Sequence, residues 1–272
     1  MNPEEYDFME KLQKAKRMYG KIGYEVKEKD YFQKIYNYLK ENNLDTTRFE
    51  EKLKKLQLVK TQKETYGTGA HYDEKDNKIV YTDEDDLYHE AFHVVTKGIV
   101  LKPKEGPKLG EGLNEGITDM FTKKVNPNAP TGYHFERICA EVLEKAYGTE
   151  VFNPYFEGSG LKFANQFDES AILCLMEDLD EYIELTREYY ENMKNEQPIL
   201  GIGEEIASCF DDVMKDLVDL CKDKSKKSIK EIKKLLETEF SSEEMKPIIG
   251  IIENGYGTSI DIQKLFSVEK TR

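Results

Sequence analysis

Cysteine is scarce in this chain of 272 residues, and none of the four, Cys139, Cys174, Cys209 and Cys221, forms a CxxC pair. Each falls in a stretch with helical character, so the expectation is buried free thiols, with no disulfide framework. Long apolar runs are missing too. No window approaches the 18 apolar residues of a membrane span, and the opening MNPEEYDFMEKLQKAKRMYG lacks the apolar core of a signal peptide. These absences predict a cytoplasmic protein, or a secreted one if a leader has been removed. Positive charge is in deficit, with 40 Lys and Arg against 54 Asp and Glu and a net charge of -14. That balance argues against nucleic acid or an anionic membrane as partner. It is compatible with basic peptides as substrates and equally with plain solubility. Internal repeats and low-complexity linkers are also lacking. Histidine is rare, with four in the whole chain.

The length suits one large domain or two lobes sharing a cleft, with a core that needs no cross-link. The first third reads as three amphipathic helices, with apolar positions Phe8, Met9, Leu12, Ala15 and Tyr19 in the first and Phe49, Leu53 and Leu56 in the third. Asp30 and Asp45 are the expected caps of the second and third. The one clear β signal is GAHYDEKDNKIVYT, where two short runs flank a polar turn, which predicts a hairpin of residues 69–72 and 78–82. LYHEAFHVVTK follows, apolar on nearly every face, and predicts a buried helix stopping at Gly98. A second helix, EGLNEGITDMFTKKV, should end before Pro127. From Gly132 onward the pattern is almost all helical: one helix over 133–146, a long one through ESAILCLMEDLDEYIELTREYY, and three more in the last 70 residues. The basic run KDKSKKSIKEIKK reads as a solvated helix face. The expected class is therefore mostly α with a small β-hairpin or sheet (α+β). An N-terminal part, 1–97, carries the hairpin and the first motif helix, and a helical part, 98–272, carries the second.

His89-Glu90-Ala91-Phe92-His93 is an HExxH string lying on a predicted helix. Residues four apart share a helical face, so both imidazoles can reach one ion while Glu90 flanks it. Such a string arises by chance in roughly one chain of this composition in a hundred. Taken by itself it could therefore be two packed core histidines. A second string, Asn114-Glu115-Gly116-Ile117-Thr118-Asp119, begins 21 residues after His93. Glu115 can supply a third ligand. Asp119, four positions on, can accept the free ring N–H of a ligating histidine. Three protein ligands leave one position open for water, the arrangement of a catalytic zinc. No cysteine lies near either helix to close a structural site. GSG at 158 and GIG at 201 lack the strand-then-helix context of a nucleotide loop.

The two motifs resemble those of the gluzincin zinc metallopeptidases, particularly the thermolysin-like branch, whose second motif reads Asn-Glu-x-x-x-Asp. The likeness spans about residues 69–121. It implies a zincin-like, two-lobed metallopeptidase with a helical C-terminal lobe, one Zn2+ bound by His89, His93 and Glu115, and Glu90 as the base that activates water. It implies Asn114 and Asp119 in the shell behind the ligands, and a peptide or protein substrate lying along the outer hairpin strand at Ala70, His71 and Tyr72. His71 then reads as a strand side chain beside the cleft. The branch places an oxyanion-binding tyrosine between the motifs, and this chain has neither Tyr nor His between His93 and Glu115. Other gluzincins place the tyrosine after the glutamate ligand. Tyr133 and His134 are therefore the expected donors, with Tyr155 behind them. The competing reading is a catalytically silent zinc-binding or protein-interaction module on a gluzincin-like fold.

Overall fold

The computed structural model describes residues 26–61, 69–82, 84, 87–101, 107–199, 201–222, 224 and 226–256. The first predicted helix, with Phe8 and Tyr19, lies outside them. The described chain is mostly helical with one three-stranded mixed sheet. It divides into two compact units, one within residues 1–98, 118–132 and 153–159, the other within 99–117, 133–152 and 160–272.

In the first unit, α1 (Val26–Glu41) and α2 (Thr47–Leu53) bury Phe32, Ile35, Tyr36, Leu39 and Phe49. α1 starts ahead of Asp30, which therefore lies inside the helix and is not its cap. Residues 26–29 hold nothing that breaks a helix, so the backbone extends through them. Asp45 does serve the start of α2, its carboxylate accepting from the Thr47 N–H at 2.9 Å, although the formal cap position is Thr46. Leu56 is buried but lies beyond α2, leading into the strand β1 (Gln57–Lys60).

β1 has no counterpart among the sequence expectations. It pairs in parallel with β3 (Lys78–Tyr81), which pairs antiparallel with β2 (Ala70–Asp73), giving the order β1-β3-β2. The hairpin matches its sequence signal. Asp73 accepts from the Lys75 and Asp76 N–H groups at 3.1 and 3.2 Å, and Asn77 turns through φ 49°, a conformation Asn tolerates better than most residues. Ile79 and Tyr81 of β3 are buried. β2 and β3 both pack on the next helix, α3 (Leu87–Val95). α3 buries Leu87, Tyr88, Ala91, Phe92, Val94 and Val95 and stops three residues short of Gly98, whose φ of 72° suits glycine.

α4 (Glu111–Val125) spans the second motif residue for residue as the pattern predicts. Within the first unit Phe121 of α4 fixes this helix against α3, its ring 6.0 Å from Phe92, and also meets Phe156 of α6 (Asn153–Glu157) at 5.1 Å.

The second unit contains α5 (His134–Tyr147), α7 (Gly160–Ala164), α8 (Glu169–Lys194), α9 (Ile202–Cys221), α10 (Lys226–Phe240) and α11 (Lys246–Tyr256). α8 runs past Tyr190 to Lys194, since residues 191–194 continue without a helix breaker. Glu196 at φ 55° follows its end. Phe135, Tyr182 and Phe210 form the aromatic centre, with Phe135 4.8 Å from Tyr182 and 4.9 Å from Phe210. Arg137 is buried and paired with Glu141 at 2.7 Å and Glu239 at 2.8 Å, joining α5 to α10. The basic run is a solvated face: Lys230 and Lys234 of α10 are exposed while Ile232 and Leu236 are buried. No described helix is long and apolar enough to cross a membrane.

All four cysteines are free, and Cys174 is exposed, not buried as expected. Cys174 sits on the outer side of α8, whose burial stripe of Ile172, Leu175, Met176 and Leu179 leaves it out. Burial pushes the Cys209 and Cys221 thiols up to about 12, which makes them inert as nucleophiles at neutral pH.

Asp216 on α9 is partly buried beside Asp178 of α8, and burial followed by the neighbouring Asp178 charge pushes its carboxyl up to about 7. Unfolding returns this carboxyl to its ordinary value of 3.8, so its stabilising share is complete below about pH 4 and is lost as pH rises towards about 7. Asp216→Asn should therefore raise the melting temperature at pH 8. Discounted for partial solvation, the gain is about 1 kcal/mol, or about 2 to 4 °C. Thermal melts at pH 8 and pH 4 check this: the gain should vanish at the lower pH, and an equal gain at both would refute the raised carboxyl.

Candidate metal centre

The apolar surround of α3 has two polar gaps. His89 and His93, one turn apart, are the half-buried positions, with ring centroids 4.7 Å apart and Nε2 atoms 3.0 Å apart. α4 contributes Glu115, which is likewise half-buried. One ligand atom from each of His89, His93 and Glu115 lies within 4.8 Å of the others, so the three can hold a metal ion. Among the described residues no other such group of His, Cys, Asp or Glu occurs.

Asp119, on the same helix as Glu115 and four residues on, is fully buried, and its Oδ1 lies 2.6 Å from His89 Nδ1. A carboxylate accepts, so the ring proton belongs on Nδ1 and the Nε2 lone pair faces His93. This tautomer is the one a metal ligand needs. The spacing fits as well, because two nitrogens bound at about 2.05 Å to one tetrahedral ion stand about 3.3 Å apart. Two nitrogens and a carboxylate oxygen suit an ion of intermediate softness.

Glu90 is buried, and among the described residues no hydrogen bond or ion pair engages its carboxylate. Asn114 is buried, and its side-chain oxygen accepts from the Ile99 N–H at 3.1 Å. It thereby ties the segment after α3 to the first turn of α4.

The oxyanion-donor candidates divide. Tyr155 is fully buried, its hydroxyl 2.7 Å from Thr118 Oγ1 and its ring stacked on Phe121, so it is a core residue and not an oxyanion donor. Tyr133 is the half-buried N-cap of α5 and makes no side-chain cap. His134 begins α5, with Nδ1 3.6 Å from Glu244 Oε2. The start of α5 comes close to α4 at Gly116, where an added Cβ would overlap the Glu136 carbonyl oxygen. Gly116 adjoins Glu115, so Tyr133 and His134 begin a helix whose first turn lies against the helix of the ligand. In the hairpin, Ala70 is buried, His71 is half-buried, and the Tyr72 hydroxyl donates to Asn77 Oδ1 at 2.9 Å. Burial holds that phenol up at about 12.

One residue that holds the start of α4 has no sequence signal. Asp180 reaches the start of α4 from 68 and 70 residues away, and no local pattern marks it.

No protein-family model, curated protein or solved structure matches the chain. The triad is consistent with HExxH plus a distal glutamate.

Proposed function

We propose that the chain is a zinc-dependent peptidase with a zincin-like arrangement and a helical C-terminal lobe. The observation that carries this reading is the convergence of His89, His93 and Glu115, with Asp119 behind His89 and an unengaged Glu90 on the same helix. Zinc, when bound, polarises a carbonyl and brings the pKa of a coordinated water towards about 7. Glu90 takes the proton of the attacking water. As the new C–O bond forms and the C–N bond breaks, it returns that proton to the leaving amine. Asp119 keeps the His89 ring in its ligating tautomer throughout.

Strand β2 is an edge of the sheet among the described residues, and its backbone at Ala70, His71 and Tyr72 offers pairing to an extended peptide. Tyr133, with His134 as alternative, donates to the oxygen that gains negative charge. Tyr133→Phe should lower the turnover by about 100-fold while zinc stays bound. Full activity in that variant would pass the role to His134.

The test of the function is cleavage of a mixed peptide library by zinc-loaded and chelator-stripped protein. Cleavage that disappears with the metal and returns with added zinc supports the peptidase. Stoichiometric zinc without cleavage would leave the second reading, a silent zinc-binding module, which the commitment of the Tyr155 hydroxyl to Thr118 favours.

A further inference from the structure

α4 carries Glu115 and Asp119, and its first turn is gripped from another helix. Asp180 of α8 accepts from the Gly112 N–H at 2.6 Å through Oδ1 and from the Gly110 N–H at 2.7 Å through Oδ2. Both bonds fall on N–H groups at a helix start, which find no partner within the helix, and a carboxylate there also complements the helix dipole. The approach is close because Gly112 has no side chain. A Cβ on it would lie 2.6 Å from the Leu179 carbonyl oxygen. Asp180, though half-buried, accepts desolvation to hold this place. Burial raises its carboxyl and the two N–H groups counter that rise.

Glu115 lies three residues past Gly112 and four before Asp119, so it sits between two fixed points of one helix. Asp119 meets His89 and thereby sets the later turn of α4. At the first turn the Asn114 side-chain oxygen accepts a neutral bond from the Ile99 N–H, whereas Asp180 accepts two charge-assisted bonds, each of the stronger kind, which resist rotation and advance of the helix start. Each residue turns a helix by about 100° and advances it by about 1.5 Å, so a small slip at the start displaces the Glu115 carboxylate from the imidazole pair.

We infer that Asp180 is a positioning residue for the metal centre, holding the first turn of α4 so that Glu115 reaches the ion shared with His89 and His93. The inference rests on the metal-site reading. Many residues grip helix starts for stability alone, and the distinction is that this grip acts through Glu115.

A double-mutant cycle separates the two. Zinc affinity is measured by competition with a chromogenic chelator for the full chain, Asp180→Asn, Glu115→Ala and the double variant. Circular dichroism of each metal-free protein reports the fold. Asp180→Asn should weaken zinc binding by about 10-fold or more in the otherwise native chain. In the Glu115→Ala background it should change affinity by less than about 2-fold, because the group it acts through is gone. Gly112→Ala, which pushes α4 from Leu179 while leaving Asp180 in place, should repeat the pattern. An equal loss in both backgrounds would make Asp180 a stabilising residue only and overturn the inference, as would undiminished affinity in Asp180→Asn. A native chain that takes up no zinc overturns the metal-site reading and this inference with it. Zinc held equally by the native chain and Asp180→Asn overturns the inference alone.

Discussion

His93→Ala is expected to empty the metal centre without unfolding the protein. His93 supplies one of three ligand atoms within 4.8 Å of one another. Losing a partner that only braces a ligand weakens metal binding by about 10 to 100-fold, so losing a ligand should exceed about 100-fold. The fold should survive because His93 is only half-buried on a helix anchored by Leu87, Ala91, Phe92 and Val95, and alanine favours helix. Zinc measured by elemental analysis after desalting should fall from about one per chain to a trace. Zinc present at about 1,000 times its dissociation constant stabilises the native state by about 4 kcal/mol, so added metal should raise the melting temperature of the native chain and leave that of His93→Ala unmoved. His71→Ala is the control, since His71 lies on β2 outside the triad. Unchanged zinc content in His93→Ala, or an equal loss in His71→Ala, would sink the assignment.

The residues of this centre are legible in the sequence because helix periodicity alone puts them together. Positions 89 and 93, and 115 and 119, each share a face whatever the helices pack against. α4 is legible to its ends, since its apolar pattern runs up to Val125 and Pro127 forbids continuation. The hairpin shows through its turn chemistry, where Asp73 and Asn77 serve the bend directly. β1 does not show. Its four residues, Gln57–Lys60, are mostly exposed and carry no alternation, and they form a strand only because β3 offers a free edge. The same limit explains Tyr155 and Cys174. Periodicity shows that a face is apolar, but whether a hydroxyl finds Thr118 or a thiol meets solvent depends on neighbours remote in sequence. The short helices α6 and α7, between residues 153 and 164, follow from Pro154 in the first turn of α6 and from Gly158, whose φ of 73° ends it before α7 begins at Gly160, signals that a broadly helical reading passes over. Asp180 lies furthest from the reach of pattern: an acidic residue on a helix rich in acids looks solvated until the glycines it grips are known.

Glu90→Gln is expected to keep both zinc and fold and to lose about three orders of magnitude in peptide cleavage. Glutamine matches glutamate in size, so the buried position on α3 stays filled and His89 and His93 keep their places on the helix. The ligands are untouched, so zinc content should equal that of the native chain. What changes is the ability to take a proton. A carboxylate accepts one from water and gives it up to the departing amine, whereas an amide does neither. The loss should fall on kcat, with KM nearly constant, since the proton moves during the chemical step and the peptide is held elsewhere. Among the described residues nothing pairs with the Glu90 carboxylate, so the substitution removes no ion pair and leaves no stranded partner. The melting temperature should therefore stay close to that of the native chain. Steady-state rates on the best peptide of the library, with zinc content measured on the same samples, decide the matter. Near-native turnover in Glu90→Gln would exclude this residue as the base, and a parallel loss of zinc and activity would show that it acts on the metal site instead of on the water.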